Sequence, residues 1–169
     1  MNDETYEKHY GALGKTLDEM LSHDEVERDT LYDAIFLRLD RKPNYASYND
    51  AELKYREVYL LVGEVGNGGF HSYFNNGTGE SADIALAGLQ EMGADDAAVL
   101  LEQALKIFPG GKPPVEDSEK LQEAMEQVDD ETIRIWGECS DEFNNQQAEI
   151  IRKLAVEYVK LRREEFHLP

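Results

Sequence analysis

Several scarcities narrow the possibilities for this chain of 169 residues before any motif is considered. Cysteine occurs once, at Cys139, so no internal disulfide forms and cysteine-based zinc ligation is excluded. That thiol sits next to Glu138 and close to Asp141, surroundings that disfavour a thiolate and therefore a reactive nucleophile. The four histidines, His9, His23, His71 and His167, are scattered without metal-ligand spacing. The chain is expected to hold neither metal nor cofactor. No apolar run approaches the ~20 residues of a membrane span. The start, Met1-Asn2-Asp3-Glu4, is acidic and polar, unlike a secretion signal. Together these features lead us to expect a cytoplasmic protein. Bases are also scarce: 17 Lys and Arg stand against 36 Asp and Glu, a net charge of −19. Like charges repel, so direct binding to nucleic acid or to an anionic membrane is disfavoured, whereas a basic partner, or plain solubility, fits.

Strand patterns are scarce as well; no run alternates apolar and polar residues with β-branched content. Helical periodicity fills the chain instead. It predicts one all-α domain over residues 1–169 with about seven to nine helices. Leu31, Ile35 and Leu39 place a helix over about 24–41, broken by Lys42-Pro43. Asn49 or Asp50 caps a helix from Ala51 to about Val65. Ser81 caps another that ends at Gly93, and Asp95 or Asp96 starts the next. An acidic helix over about 115–128 follows the Pro109–Pro114 loop. Asp129 or Asp130 begins a segment through Trp136 and Phe143, bent at Asn144-Asn145. Trp136 is expected in the core. A last helix over 146–165 carries Arg152, Lys153, Lys160, Arg162 and Arg163, which either neutralise the acids or sit apart from them.

The acid excess is uneven. Residues 116–142 contain 11 acids and 2 bases. Within them Glu116, Glu119, Glu123, Glu126 and Asp130 recur at alternating spacings of 3 and 4, one face of a helix. Like charges so placed destabilise a helix by ~0.2–0.5 kcal/mol per pair. The spacing is of the order of that between phosphates on a nucleic-acid strand. We therefore select Glu116, Glu119, Glu123, Glu126, Asp129, Asp130 and Glu131 as candidate partner-binding residues, with Glu25, Asp29 and Asp33 as a second row. An ordinary solvated helix face is the competing explanation.

The most distinctive stretch is glycine- and asparagine-rich: Glu64-Val-Gly-Asn67-Gly68-Gly69-Phe70-His71-Ser-Tyr73-Phe74-Asn75-Asn-Gly-Thr-Gly79. Phe70, Tyr73 and Phe74 fall on one helical face. They imply a short helix packed into the core between two sharp turns, with Asn67 as its cap and Asn75 or Asn76 with Gly77 as its end. Glu64 would accept a local hydrogen bond. Gly77-Thr-Gly79-x-x-Ala82 matches a dinucleotide fingerprint but lacks the preceding strand, and Gly111-Lys112 lacks the rest of a phosphate loop. Glu64, His71 and Asn75 would be the residues for acid–base chemistry if the turn brought them together. No recognisable catalytic constellation is present, so an enzyme is not expected.

This stretch resembles the signature of a bacterial domain-of-unknown-function family in which Asn-Gly-Gly-Phe is followed by Tyr-Phe, Asn and Gly. The resemblance is strongest over residues 50–109. The characterised member of that family is an acidic, all-helical DNA mimic that occupies the DNA site of a transcription regulator. The resemblance implies an all-α fold, a basic DNA-binding protein as partner, no direct contact with nucleic acid or membrane, and a possible homodimer. The alternatives are a small-molecule binding protein or enzyme using a pocket at Asn67–Asn75, or an acidic interaction domain without mimicry.

Overall fold

A computed structural model describes residues 15–22, 28–113 and 118–169. Glu25 and Glu116, and the expected helix start at Asp24, lie outside the described residues. Helices α1 (Leu17–Ser22), α2 (Arg28–Leu39), α3 (Asp50–Asn75), α4 (Ala82–Met92), α5 (Asp95–Leu105), α6 (Ser118–Glu126), α7 (Asp130–Glu142) and α8 (Ala148–Leu161) follow one another. Short 3-10 turns at Tyr45–Ser47, Thr78–Ser81, Pro109–Gly111 and Arg163–Glu165 join or end them. No strand occurs among the described residues. The all-α expectation and its number of helices agree with the structure.

Helix α3 is the spine, 26 residues in two arms that meet at Gly68 and Gly69. It starts with a reciprocal capping box. The Asn49 side chain accepts from the Glu52 amide at 3.0 Å, and Glu52 Oε2 accepts from the Asn49 amide at 3.0 Å. Its apolar residues Tyr55, Val58, Leu61, Val65, Phe70, Tyr73 and Phe74 are fully buried, and α2, α4, α6 and α7 pack around them. Gly88 lets α4 approach closely: a β-carbon there would lie 2.8 Å from Val58 Cγ2 and 3.0 Å from the Lys54 carbonyl.

One expected cap differs. Ser81 makes no capping bond; it lies inside the Thr78–Ser81 turn, which a left-handed Gly77 (φ 79°) launches. Helix α5 starts at Asp95, as expected, behind Ala94, which offers no side-chain acceptor. Gly93 (φ 78°) ends α4 and Asp129 caps α7 through the Thr132 amide at 2.8 Å, as expected.

Candidate functional site

Gly68 and Gly69 break α3. Gly68 has φ −161° and ψ 20°, and Gly69 has φ 72° and ψ −175°, a region essentially restricted to glycine. In an unbroken helix the Phe70 amide would reach the Gly66 carbonyl and the Gly69 amide would reach the Val65 carbonyl. At the break these groups find partners about 70 and 80 residues away in sequence. Ser140 Oγ accepts from the Phe70 amide at 2.9 Å and donates to the Trp136 carbonyl at 2.5 Å. Asn144 Nδ2 donates to the Val65 carbonyl at 3.1 Å. Asn144 reaches that carbonyl from a wide π turn over Phe143–Gln147 that joins α7 to α8. Asn67 does not cap the short helix. The hydroxyl of Ser140, supplied by α7, takes that role because Gly68 and Gly69 turn the chain between Asn67 and the amide it would have served.

The other motif residues settle as the aromatic spacing implied. Phe70, Tyr73 and Phe74 are fully buried. Phe74 packs against Trp136 and Phe108 at ring separations of 5.2 and 5.0 Å. Trp136 lies in the core and donates its indole N–H to the Ala104 carbonyl at 2.9 Å. Gly79 has no room for a side chain, since a β-carbon would lie 2.4 Å from Phe74 Cδ1. Glu64 Oε2 accepts from Asn76 Nδ2 at 2.9 Å. His71 and Asn75 border different hollows, His71 beside Trp136 and Asn75 beside Leu121. Glu64, His71 and Asn75 are therefore not drawn into one cluster.

The acidic helix presents its row as the spacing predicted. At about 100° per residue, Glu119, Glu123 and Glu126 fall within about 60° of one another and opposite the buried Leu121. All three are exposed and form no ion pair with a described residue. Asp129, Asp130 and Glu131 follow, exposed, in the turn that starts α7, where the helix dipole favours negative charge. The bond from Thr132 lowers the Asp129 carboxyl below its usual range, and Arg134 lowers that of Glu131. Arg134 bridges Glu131 at 2.7 Å and Glu138 at 2.5 Å within α7. Along α7, Glu138, Asp141 and Glu142 extend the exposed acids. Sequence reading counted these three in the acidic segment but did not select them, because a row defined by α6 ends where that helix ends. On the inner edge of α6, Lys112 and Lys120 share with Glu123 and Asp129 the border of a hollow of about 760 Å³.

Lys160, Arg162 and Arg163 pair away from this row. Arg162 pairs with Glu91 and Glu165, Arg163 with Asp18 and Glu164, and Lys160 with Glu157. The second row does not continue the first. Asp33 Oδ1 accepts from Tyr59 Oη at 3.1 Å on the first arm of α3, whereas Leu121 and Met125 of α6 meet Phe74–Gly77 at its far end. The two contacts lie on opposite sides of the break at Gly68 and Gly69. Asp29 is exposed on α2.

Cys139 is buried, with Sγ 3.6 Å from Gln103 Oε1. Burial, with help from the Glu142 and Glu138 carboxylates, raises its thiol above the ordinary range. No group of three or more His, Cys, Asp or Glu suited to a metal occurs among the described residues. No helix among them is long and apolar enough to cross a membrane.

A broken central helix clamped by α7, beside an unneutralised acidic helix, defines an acidic all-α domain. The model of the DMP19-like protein family matches residues 46–162, and the chain belongs to that family. The match takes in α3 to α8, including the Glu119–Glu126 row and the helix break, and leaves out Asp29 and Asp33. No curated protein and no solved structure matches the chain.

Proposed function

We propose that this protein binds a basic DNA-binding protein, for example a transcription regulator, and covers its DNA site by offering carboxylates where that partner meets phosphates. The observation that carries the reading is the α6 face. Glu119, Glu123 and Glu126 are exposed and form no ion pair with a described residue. Spacings of four and three residues set neighbouring charges ~6 and ~4.5 Å apart along the helix axis, against 3.4 Å per phosphate on one DNA strand. Asp129, Asp130, Glu138, Asp141 and Glu142 prolong the exposed acids beyond α6. Membership of the DMP19-like family supports the same reading. A basic surface binding such a face releases the counterions held by both, so the complex is salt-sensitive. A homodimer would lengthen the acidic surface.

The test is charge reversal. Glu119→Lys, Glu123→Lys and Glu126→Lys together should abolish low-salt capture of basic DNA-binding proteins from lysate. The circular dichroism spectrum and melting temperature should stay close to those of the parent chain, since none of the three side chains contributes to the core. Undiminished capture by this variant rejects the role given to α6.

A further inference from the structure

The helix break has a second consequence, a cleft of about 310 Å³ between α3 and α7. Gly66 to Gly69 form one wall, Ile133, Trp136 and Gly137 another, and His71, Asp141 and Asn144 stand at its edges. Three oxygen-bearing side chains there are unspent. Asn67 and Asp141 bond no described residue, and Asn144 uses its Nδ2 on Val65, leaving its Oδ1 free of described partners. No Lys or Arg among the described residues lines the cleft. The first arm of α3 also ends here, and the C-terminal end of a helix favours a cation. The apolar wall at Ile133 and Gly137 suits an aliphatic stem.

We propose that this cleft seats an arginine side chain of the basic partner, with the guanidinium at Asp141 and the Asn67 and Asn144 amide oxygens. Several separate acceptors favour a planar fork of donors over the compact ammonium of lysine. The proposal rests on the partner being basic, and it adds an anchoring point to the diffuse attraction of the acidic face. Arginines buried in such pockets are the residues that dominate interface energetics.

The probe is N-acetylargininamide, followed by the backbone amide resonances of Gly68, Gly69 and Gly137. Emission of Trp136, the single tryptophan, gives a second signal. The expected result is saturable shifts at those three glycines, with a dissociation constant on the order of 1 mM for a ligand of this size. N-acetyllysinamide should bind several-fold more weakly, and N-acetylnorleucinamide should give no shift. Asp141→Asn removes an exposed carboxylate and should weaken the arginine probe about tenfold. Gly137→Leu should abolish binding by filling the space, since a β-carbon at Gly137 meets nothing within 4 Å. An absent response, one that survives both substitutions, or equal binding of the norleucine probe would overturn the proposal. The Glu119/Glu123/Glu126 reversal leaves the cleft intact and should keep the glycine response. Loss of partner capture with an unmoved probe response therefore concerns the acidic face, and loss of probe response with intact capture concerns the cleft.

Discussion

The break in α3 makes one glycine irreplaceable, and a substitution only six residues away provides the control. Gly69→Ala forces a β-carbon into a backbone conformation at φ 72° and ψ −175°, at a cost of ~1–3 kcal/mol. That β-carbon would also stand 2.7 Å from Ser140 Oγ. The hydroxyl has little freedom to retreat, because it holds the Phe70 amide at 2.9 Å and the Trp136 carbonyl at 2.5 Å. Pushing it aside leaves a buried amide unpaired, a further ~1–3 kcal/mol. The expected loss is therefore ~2–6 kcal/mol, a large part of the ~5–15 kcal/mol that holds a domain together. Gly63→Ala is the same chemical change on the first arm of α3, where a β-carbon meets nothing within 4 Å. It should stabilise by ~0.5–1 kcal/mol. Ser140→Ala alone should cost ~1–3 kcal/mol for the orphaned Phe70 amide. Combined with Gly69→Ala, it should cost less than the sum of the two, because the clash with Oγ no longer exists. Urea denaturation midpoints of the four variants and the parent measure all of this. If Gly69→Ala stays within ~1 kcal/mol of the parent, or if the double variant is simply additive, the clamp described here does not exist.

Three further outcomes are expected. Tyr73 Oη is buried without a hydrogen-bond partner, and burial pushes its phenol far above the ordinary range. Tyr73→Phe should therefore leave stability unchanged or raise it, and a lowered melting temperature would reveal a hidden bond. Gly88→Ala should destabilise by ~1–3 kcal/mol in urea unfolding, because the Lys54 carbonyl, 3.0 Å from the new carbon, belongs to the backbone of α3. Glu91 has its carboxyl lowered by hydrogen bonds from Lys54 and then Tyr158, against opposing desolvation. A lowered folded value contributes stability that is full above the ordinary 4.5 and is lost as the pH falls through it. Glu91→Gln should therefore be less stable than the parent near neutrality, and the gap should close on acidification. A gap that persists in acid would refute the linkage.

The helix break and the acidic row were both legible in the sequence, to different depths. Adjacent glycines followed by aromatics at i, i+3 and i+4 define a turn and a buried face, since both follow from local geometry. The partners of the broken rungs were not legible. Ser140 and Asn144 belong to other elements, and nothing local to Asn67 signals that its capping role passes to a hydroxyl from α7. Ser81 misled for a related reason. A capping residue is recognised by type, but the left-handed Gly77 had already wound the preceding turn around it. The α6 row was legible because a face is a property of one helix. Its relation to Asp29 and Asp33 was not, because periodicity fixes which side of α2 faces outward and says nothing of where α2 docks on α3. Tyr59 captures Asp33 on the first arm, and no spacing rule within α2 reports that contact.

The distribution of cations bears on why the α6 face stays bare. Several lysines and arginines of the described chain join charges where the fold needs them. Lys42 meets the buried Glu52, Lys54 joins Asp50 of α3 to Glu91 of α4, and Arg56 neutralises the buried Glu57. Arg162 reaches the same Glu91 from beyond α8, and Arg163 reaches Asp18 of α1. Around α6 and α7 the pattern differs. Arg134 pairs only within its own helix, and Glu119, Glu123 and Glu126 meet no described cation. Solubility requires a net charge but no particular address for it. A chain with 17 bases that leaves one helix face unmatched, at the expense of repulsion between neighbours at i+3 and i+4, accepts a local penalty of ~0.2–0.5 kcal/mol per pair. Such a penalty is relieved by an external set of positive charges, which is the physical content of binding a protein built to grip phosphates.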